Sequence, residues 1–126
     1  MRFKTHYLVE GKKGIGYKVV DYADDKSVSK ADKRVNYEIE PNAVYQVPYG
    51  QELWLGSTEE YVKDFYWSGS EDPEDIPELL LTFEYDYDDV IKGNPDEKLG
   101  IGATEFAVSK AVLKHATNLS TGEELF

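Results

Sequence analysis

The densest chemistry in this sequence is a run of carboxylates. From Glu71 to Asp89 there are nine Asp or Glu residues and no Lys or Arg. Within it, Glu84, Asp86 and Asp88 alternate with Phe83, Tyr85 and Tyr87. On an extended strand that alternation turns the acids to one face, about 6.7 Å apart, and the rings to the other. Fixed negative charge at such a spacing imitates a row of phosphates and draws in the lysines and arginines of a basic protein. The residues that would form this protein-binding surface are Glu71, Asp72, Glu74, Asp75, Glu84, Asp86, Asp88 and Asp89. The more ordinary use of the same residues is to keep an outer sheet face hydrated and the domain soluble.

A second constellation is cationic. Arg2, Lys4, Lys12, Lys13 and Lys18 cluster in the first eighteen residues, beside His6, in a chain holding ten tyrosines. Basic side chains near aromatic platforms bind single-stranded nucleic acid by stacking and backbone attraction. The alternative function is therefore an RNA- or single-strand-binding regulatory module on a small β-barrel. The formal net charge of −11 opposes it. So does the distribution of charge, +2 over residues 1–50 and −13 over 51–126, because the basic part can simply complement the acidic part.

Other chemistries find no support. Without cysteine there is no disulfide framework, thiolate zinc site or cysteine nucleophile. Gly11-Lys12-Lys13-Gly14 matches the GXXG loop of KH modules, but that loop joins two helices and here both flanks alternate at period two. The two G-x-G triplets, Gly14-Ile15-Gly16 and Gly100-Ile101-Gly102, lack the third glycine of a dinucleotide loop. EF-hand spacing fails from both Asp21 and Asp86, and a looser cation site at Asp86, Asp88 and Asp89 is a minor alternative to a hydrated face. Neither His6 nor His115 has partners at catalytic or metal-ligating spacing. No pair of carboxylates is marked for glycoside cleavage. The expectation is a non-enzymatic protein with no cofactor and no bound metal.

The elements that must position these residues follow from periodicity. Arg2 to Tyr22 alternates on both sides of Gly11–Gly14, which predicts a hairpin with a short bulged loop. Residues 23–33 are small and polar, hence a loop or frayed turn. Val35, Tyr37 and Ile39 alternate up to Pro41, a third strand. Val44–Tyr49 and Glu52–Leu55 read as a bent or bulged pair at a sheet edge. Ser57-Thr58-Glu59-Glu60 is a capping box that predicts a helix to about Trp67, with Tyr61, Val62, Phe65 and Tyr66 on one stripe. A strand runs through Leu79–Asp88, and Gly93-Asn94-Pro95 is a turn. Val108, Ala111, Val112, His115 and Leu119 then keep helical spacing, predicting a helix over 103–117. The tail after Ser120 should be loosely held.

Together these predict one α+β domain over 1–126, a mainly antiparallel, barrel-like sheet of about five or six strands with helices at about 57–67 and 103–117. No stretch is apolar for 18 residues and Met1 leads into alternating residues, so the expectation is a cytoplasmic protein with neither signal segment nor membrane span. Lysine outnumbers arginine twelve to two, a composition suited to an AT-rich bacterial or mobile-element genome. The function expected is a small binding or regulatory protein whose acidic surface engages a basic protein partner, as a nucleic-acid mimic or inhibitor.

Overall fold

The computed structural model describes residues 12–23, 26–29, 36–48, 51–69, 75–96 and 105–126. Among them the elements are β1 (Lys13–Ala23), β2 (Lys26–Ser29), β3 (Asn36–Glu38), β4 (Val44–Gln46), β5 (Leu53–Gly56), α1 (Glu59–Tyr66), β6 (Glu78–Asp86), β7 (Val90–Lys92), β8 (Glu105–Val108) and β9 (Lys110–Asn118). Tyr87–Asp89 forms a 3-10 turn. The strands pair antiparallel in the order β4-β9-β6-β1-β5-β8-β7, and β2 with β3 branches off the end of β1. The architecture is α+β, but with nine strands and one α-helix among the described residues, more strands and fewer helices than the periodicity predicts.

β6 is the spine because its residues can be buried on one face along their whole length. Leu79, Leu81, Phe83 and Tyr85 are all buried, while Thr82, Glu84 and Asp86 are half-buried on the other face. β1 pairs with it from Lys13↔Asp86 to Asp21↔Glu78. Three strands separate β8 from β9 along the sheet, yet in the chain only Ser109 lies between them. The sheet must therefore curl until its two sides share one bent strand, giving a half-barrel. Its interior is filled by rings from opposing strands: Tyr85 meets Phe106 with centroids 5.0 Å apart, and Tyr45 meets Phe83 at 4.9 Å. Burying each such side chain stabilises the fold by roughly 1.5–3 kcal/mol, so this interior outweighs any surface ion pair.

The predicted helix over 103–117 is instead β8 and β9. The ladder between β6 and β9 slips between Thr82 and Phe83, where Thr82 faces His115 but Phe83 faces Leu113, leaving Lys114 as an extra residue. Buried positions in β9 therefore fall at Ala111, Leu113 and Ala116. A spacing of two followed by three mimics helical periodicity, and the bulge hides the strand. His115 is exposed on the outer face opposite Thr82 rather than on the inner edge of a helix.

Other expectations are corrected more locally. Lys13 and Gly14 belong to β1 and not to a hairpin loop, and Gly14 is required because a Cβ there would collide with the Tyr85 ring and hydroxyl. The preceding strand expected over 2–10 lies outside the described residues. Lys26–Ser29 is a strand within the stretch expected as loop, paired with β1 through Ala23↔Lys26. β4 and β5 do not pair with each other: β4 is bound by β9, and β5 by β1 and β8. The α1 cap is Thr58, whose Oγ1 accepts from the Tyr61 N–H at 3.1 Å, one residue later than the capping box implies. Phe65 turns outward and stacks on Tyr61 at 4.6 Å. The C-terminal segment folds back on β9 through Leu125 N–H to Ala116 O at 2.8 Å, packing Leu125 and Phe126 on the core.

Candidate functional site

β6 delivers the predicted two-faced strand only as far as Asp86. Its partner β1 begins at Lys13, opposite Asp86, and among the described residues the ladder ends at that pair. The chain turns there, with the Tyr87 N–H donating to the Lys12 carbonyl at 3.0 Å and the Val90 N–H to the Tyr87 carbonyl. Glu84 and Asp86 therefore share the outer sheet face, whereas Asp88 and Asp89 lie on the 3-10 turn and leave the expected row. Asp88 is exposed. Asp89 is half-buried, its carbonyl accepts from the Ser109 N–H at 2.9 Å, and burial lifts its carboxyl above the usual aspartate range, reinforced by Asp86 and Asp88 and opposed by Lys110 and Lys13.

The structure divides the single acidic surface expected from the sequence. Asp75 is exposed before the opposite end of β6, and that nine-residue strand separates the two ends by about 25 Å. Glu71, Asp72 and Glu74 lie outside the described residues. Glu78, one of the nine carboxylates, is buried and accepts from the Ser68 N–H at 3.2 Å and from the Ser68 hydroxyl. It fastens the chain after α1 to the start of β6 and is withdrawn from any partner.

The basic candidates do not form a separate patch. Lys13 lies directly across the ladder from Asp86, with Nζ 2.8 Å from Oδ1, and this hydrogen bond raises the lysine above its usual range. Lys12 stands 4.4 Å over the Tyr87 ring and 3.7 Å from Asp96, whose other oxygen accepts from the Tyr87 hydroxyl at 2.6 Å. Lys18 occupies the fork where β5 and β2 take over successive parts of one edge of β1. Its ammonium donates to the Trp54 carbonyl at 3.2 Å, and burial lowers its pKa, with Glu105 opposing. Arg2 and Lys4 lie outside the described residues.

One constellation carries no sequence signal, because Glu105 falls in the segment expected to be helical. Its carboxylate accepts from the Tyr66 hydroxyl at 2.5 Å and the Tyr61 hydroxyl at 3.4 Å, joining β8 to α1. Desolvation, with Glu105 alongside, pushes the Tyr66 phenol far above its ordinary range. Both tyrosines donate to the carboxylate, which makes the group a clasp between helix and sheet. Among the described residues no three His, Cys, Asp or Glu side chains converge to hold a metal ion, and no helix is long and apolar enough to cross a membrane.

The site at the Asp86 end thus consists of Glu84, Asp86, Asp88, Asp89 and Asp96 against Lys12, Lys13 and Lys110. Among the described residues, five carboxylates against three ammonium groups leave an acidic surplus at this end of the sheet. Comparison with protein-family models, with curated proteins and with solved structures finds no match for this chain.

Proposed function

We propose that this protein is a non-enzymatic, cytoplasmic binding or regulatory protein that engages a basic protein partner through the acidic end of its sheet, as a nucleic-acid mimic or inhibitor. The observation that carries this reading is the division of β6: its rings fill the half-barrel while Glu84 and Asp86 face outward, continued by exposed Asp88. The Lys13–Asp86 pair does not block such a partner. Both side chains are about half exposed, at 55% and 41%, so water and salt already weaken the pair and an incoming arginine can displace Lys13.

The nucleic-acid reading has less support, because Lys12 and Lys13 each face a carboxylate and Lys18 is held by a backbone carbonyl. The test is capture of partners from the host at low and high ionic strength, with the parent protein and with Asp86→Lys plus Asp88→Lys. The expected partner is strongly basic, is released by salt and is lost in the double variant. A partner retained by both proteins at high salt rejects the reading, and so does retention of the parent on heparin.

A further inference from the structure

We propose that the uncovered half of the sheet's outer face docks a cationic segment of that partner, with an arginine or lysine over Glu84 and aliphatic side chains on either side. This rests on the reading above and specifies how the partner is held. The outer face is continuous across β1 and β6, but α1 covers only one half. Tyr17, Val19 and Leu80 pack under Val62, Tyr61 and Tyr66, whereas among the described residues no helix lies over Ile15 and Glu84, further along the same strands. Eight helical residues reach only about 12 Å.

The uncovered half has a defined order. Ile15 pairs with Glu84, Glu84 with Val112, and Val112 with Val44, so the four residues form one row across β1, β6, β9 and β4. At the spacing of neighbouring strands the row is about 14 Å long. Ile15 is 45% exposed and Val44 55% exposed. Single exposed aliphatics are ordinary, but here two share one row with half-buried Val112 and a carboxylate. Among the described residues Glu84 makes no ion pair within 4 Å, in contrast to Asp86 beside it on the strand, although its charge acts on Lys13.

Charge selects the occupant. Two copies of a chain carrying −11 repel each other, whereas a basic segment is attracted, and the lysines flanking the row are already engaged, Lys13 by Asp86, Lys114 by the Asn42 Oδ1 and Lys110 beside Asp89. The methylene stem of a lysine or arginine lies well along Ile15 and Val112 while its head reaches Glu84. Flanking aliphatics from the partner then exclude water and strengthen that contact.

The test uses two synthetic peptides of equal charge, one alternating leucine with arginine and one alternating glycine with arginine. Binding is followed by backbone-amide NMR at low and high salt. The leucine–arginine peptide should bind about 10-fold tighter, lose less affinity with added salt than the glycine–arginine peptide while still weakening, and move the amides of Ile15, Glu84, Val112 and Val44. Glu84→Gln should weaken it about 5- to 10-fold; Ile15→Ser with Val44→Ser should do the same and leave the glycine–arginine peptide within about twofold. Equal affinity for both peptides, with shifts confined to residues 86–89, overturns the docking row and leaves the acidic-end reading standing. Silence from both peptides removes both. Self-association of the parent that Val44→Ser abolishes assigns the row to a second copy and overturns the proposal.

Discussion

Lys13 and Asp86, 73 positions apart in the chain, face each other across the β1–β6 ladder with Nζ 2.8 Å from Oδ1. The pair marks the point where the central ladder ends and the acidic turn begins. It also joins a residue of the cationic constellation to one of the anionic constellation, so the two surfaces that compete as readings of the sequence meet at one site.

Because that pair is exposed, Lys13→Ala should leave the urea midpoint nearly unchanged and strengthen binding of a cationic peptide at low salt. The variant frees Asp86 and adds one unit of negative charge. The lysine's raised pKa makes any stabilisation from it complete below pH 10.5 and lost only as pH rises past the folded value. A variant that unfolds much earlier in urea would show that the pair is structural.

Gly14 and Tyr85 should prove energetically coupled. A methyl at Gly14 would strike the Tyr85 hydroxyl and ring, so Gly14→Ala forces a buried aromatic to move, at a cost of about 1–3 kcal/mol. Tyr85→Leu shortens the opposing side chain, and the double variant should recover part of that loss in a double-mutant cycle. Additive losses would contradict the packing described.

At the helix start, Thr58→Ala should cost about 1 kcal/mol by removing the acceptor for the Tyr61 N–H, and Ser57→Ala less. Thermal unfolding of the two variants separates the observed cap from the one that the capping-box motif implies.

Alkaline pH should unfold the protein through its buried phenols. Desolvation raises Tyr85 and Tyr66 far above the ordinary value of 10.0. The unfolded chain therefore releases these protons at lower pH than the folded one. Between the two values the native state binds more protons, so stability falls as pH climbs above about 10. Ultraviolet titration should show part of the ten tyrosines ionising only together with the loss of structure. Smooth ionisation of all ten in a folded protein would be the contrary result.

Legibility tracked how regular the local pattern was. Leu81 to Asp86 alternates without interruption, so its strand, its buried rings and its outward Glu84 and Asp86 are all readable from period two. β9 was unreadable for the opposite reason: the extra residue at Lys114 shifts the buried set from Leu113 to Ala116 and counterfeits a helix. Asp88 and Asp89 continue the acidic pattern in sequence, but the described β1–β6 ladder ends at Lys13 and Asp86, and Tyr87–Asp89 closes a 3-10 turn.

Composition and alternation alone determined an acidic chain with no thiol chemistry and a strand whose rings and carboxylates take opposite sides. These properties depend only on residue type and neighbours along the backbone. Tertiary structure alone decided that Asp75 lies a strand's length from Asp86, that Lys12 and Lys13 stand among the acids, and that Ile15, Glu84, Val112 and Val44 make one row. Those outcomes depend on sheet register and strand order, which arise from long-range burial and pairing that no local pattern encodes.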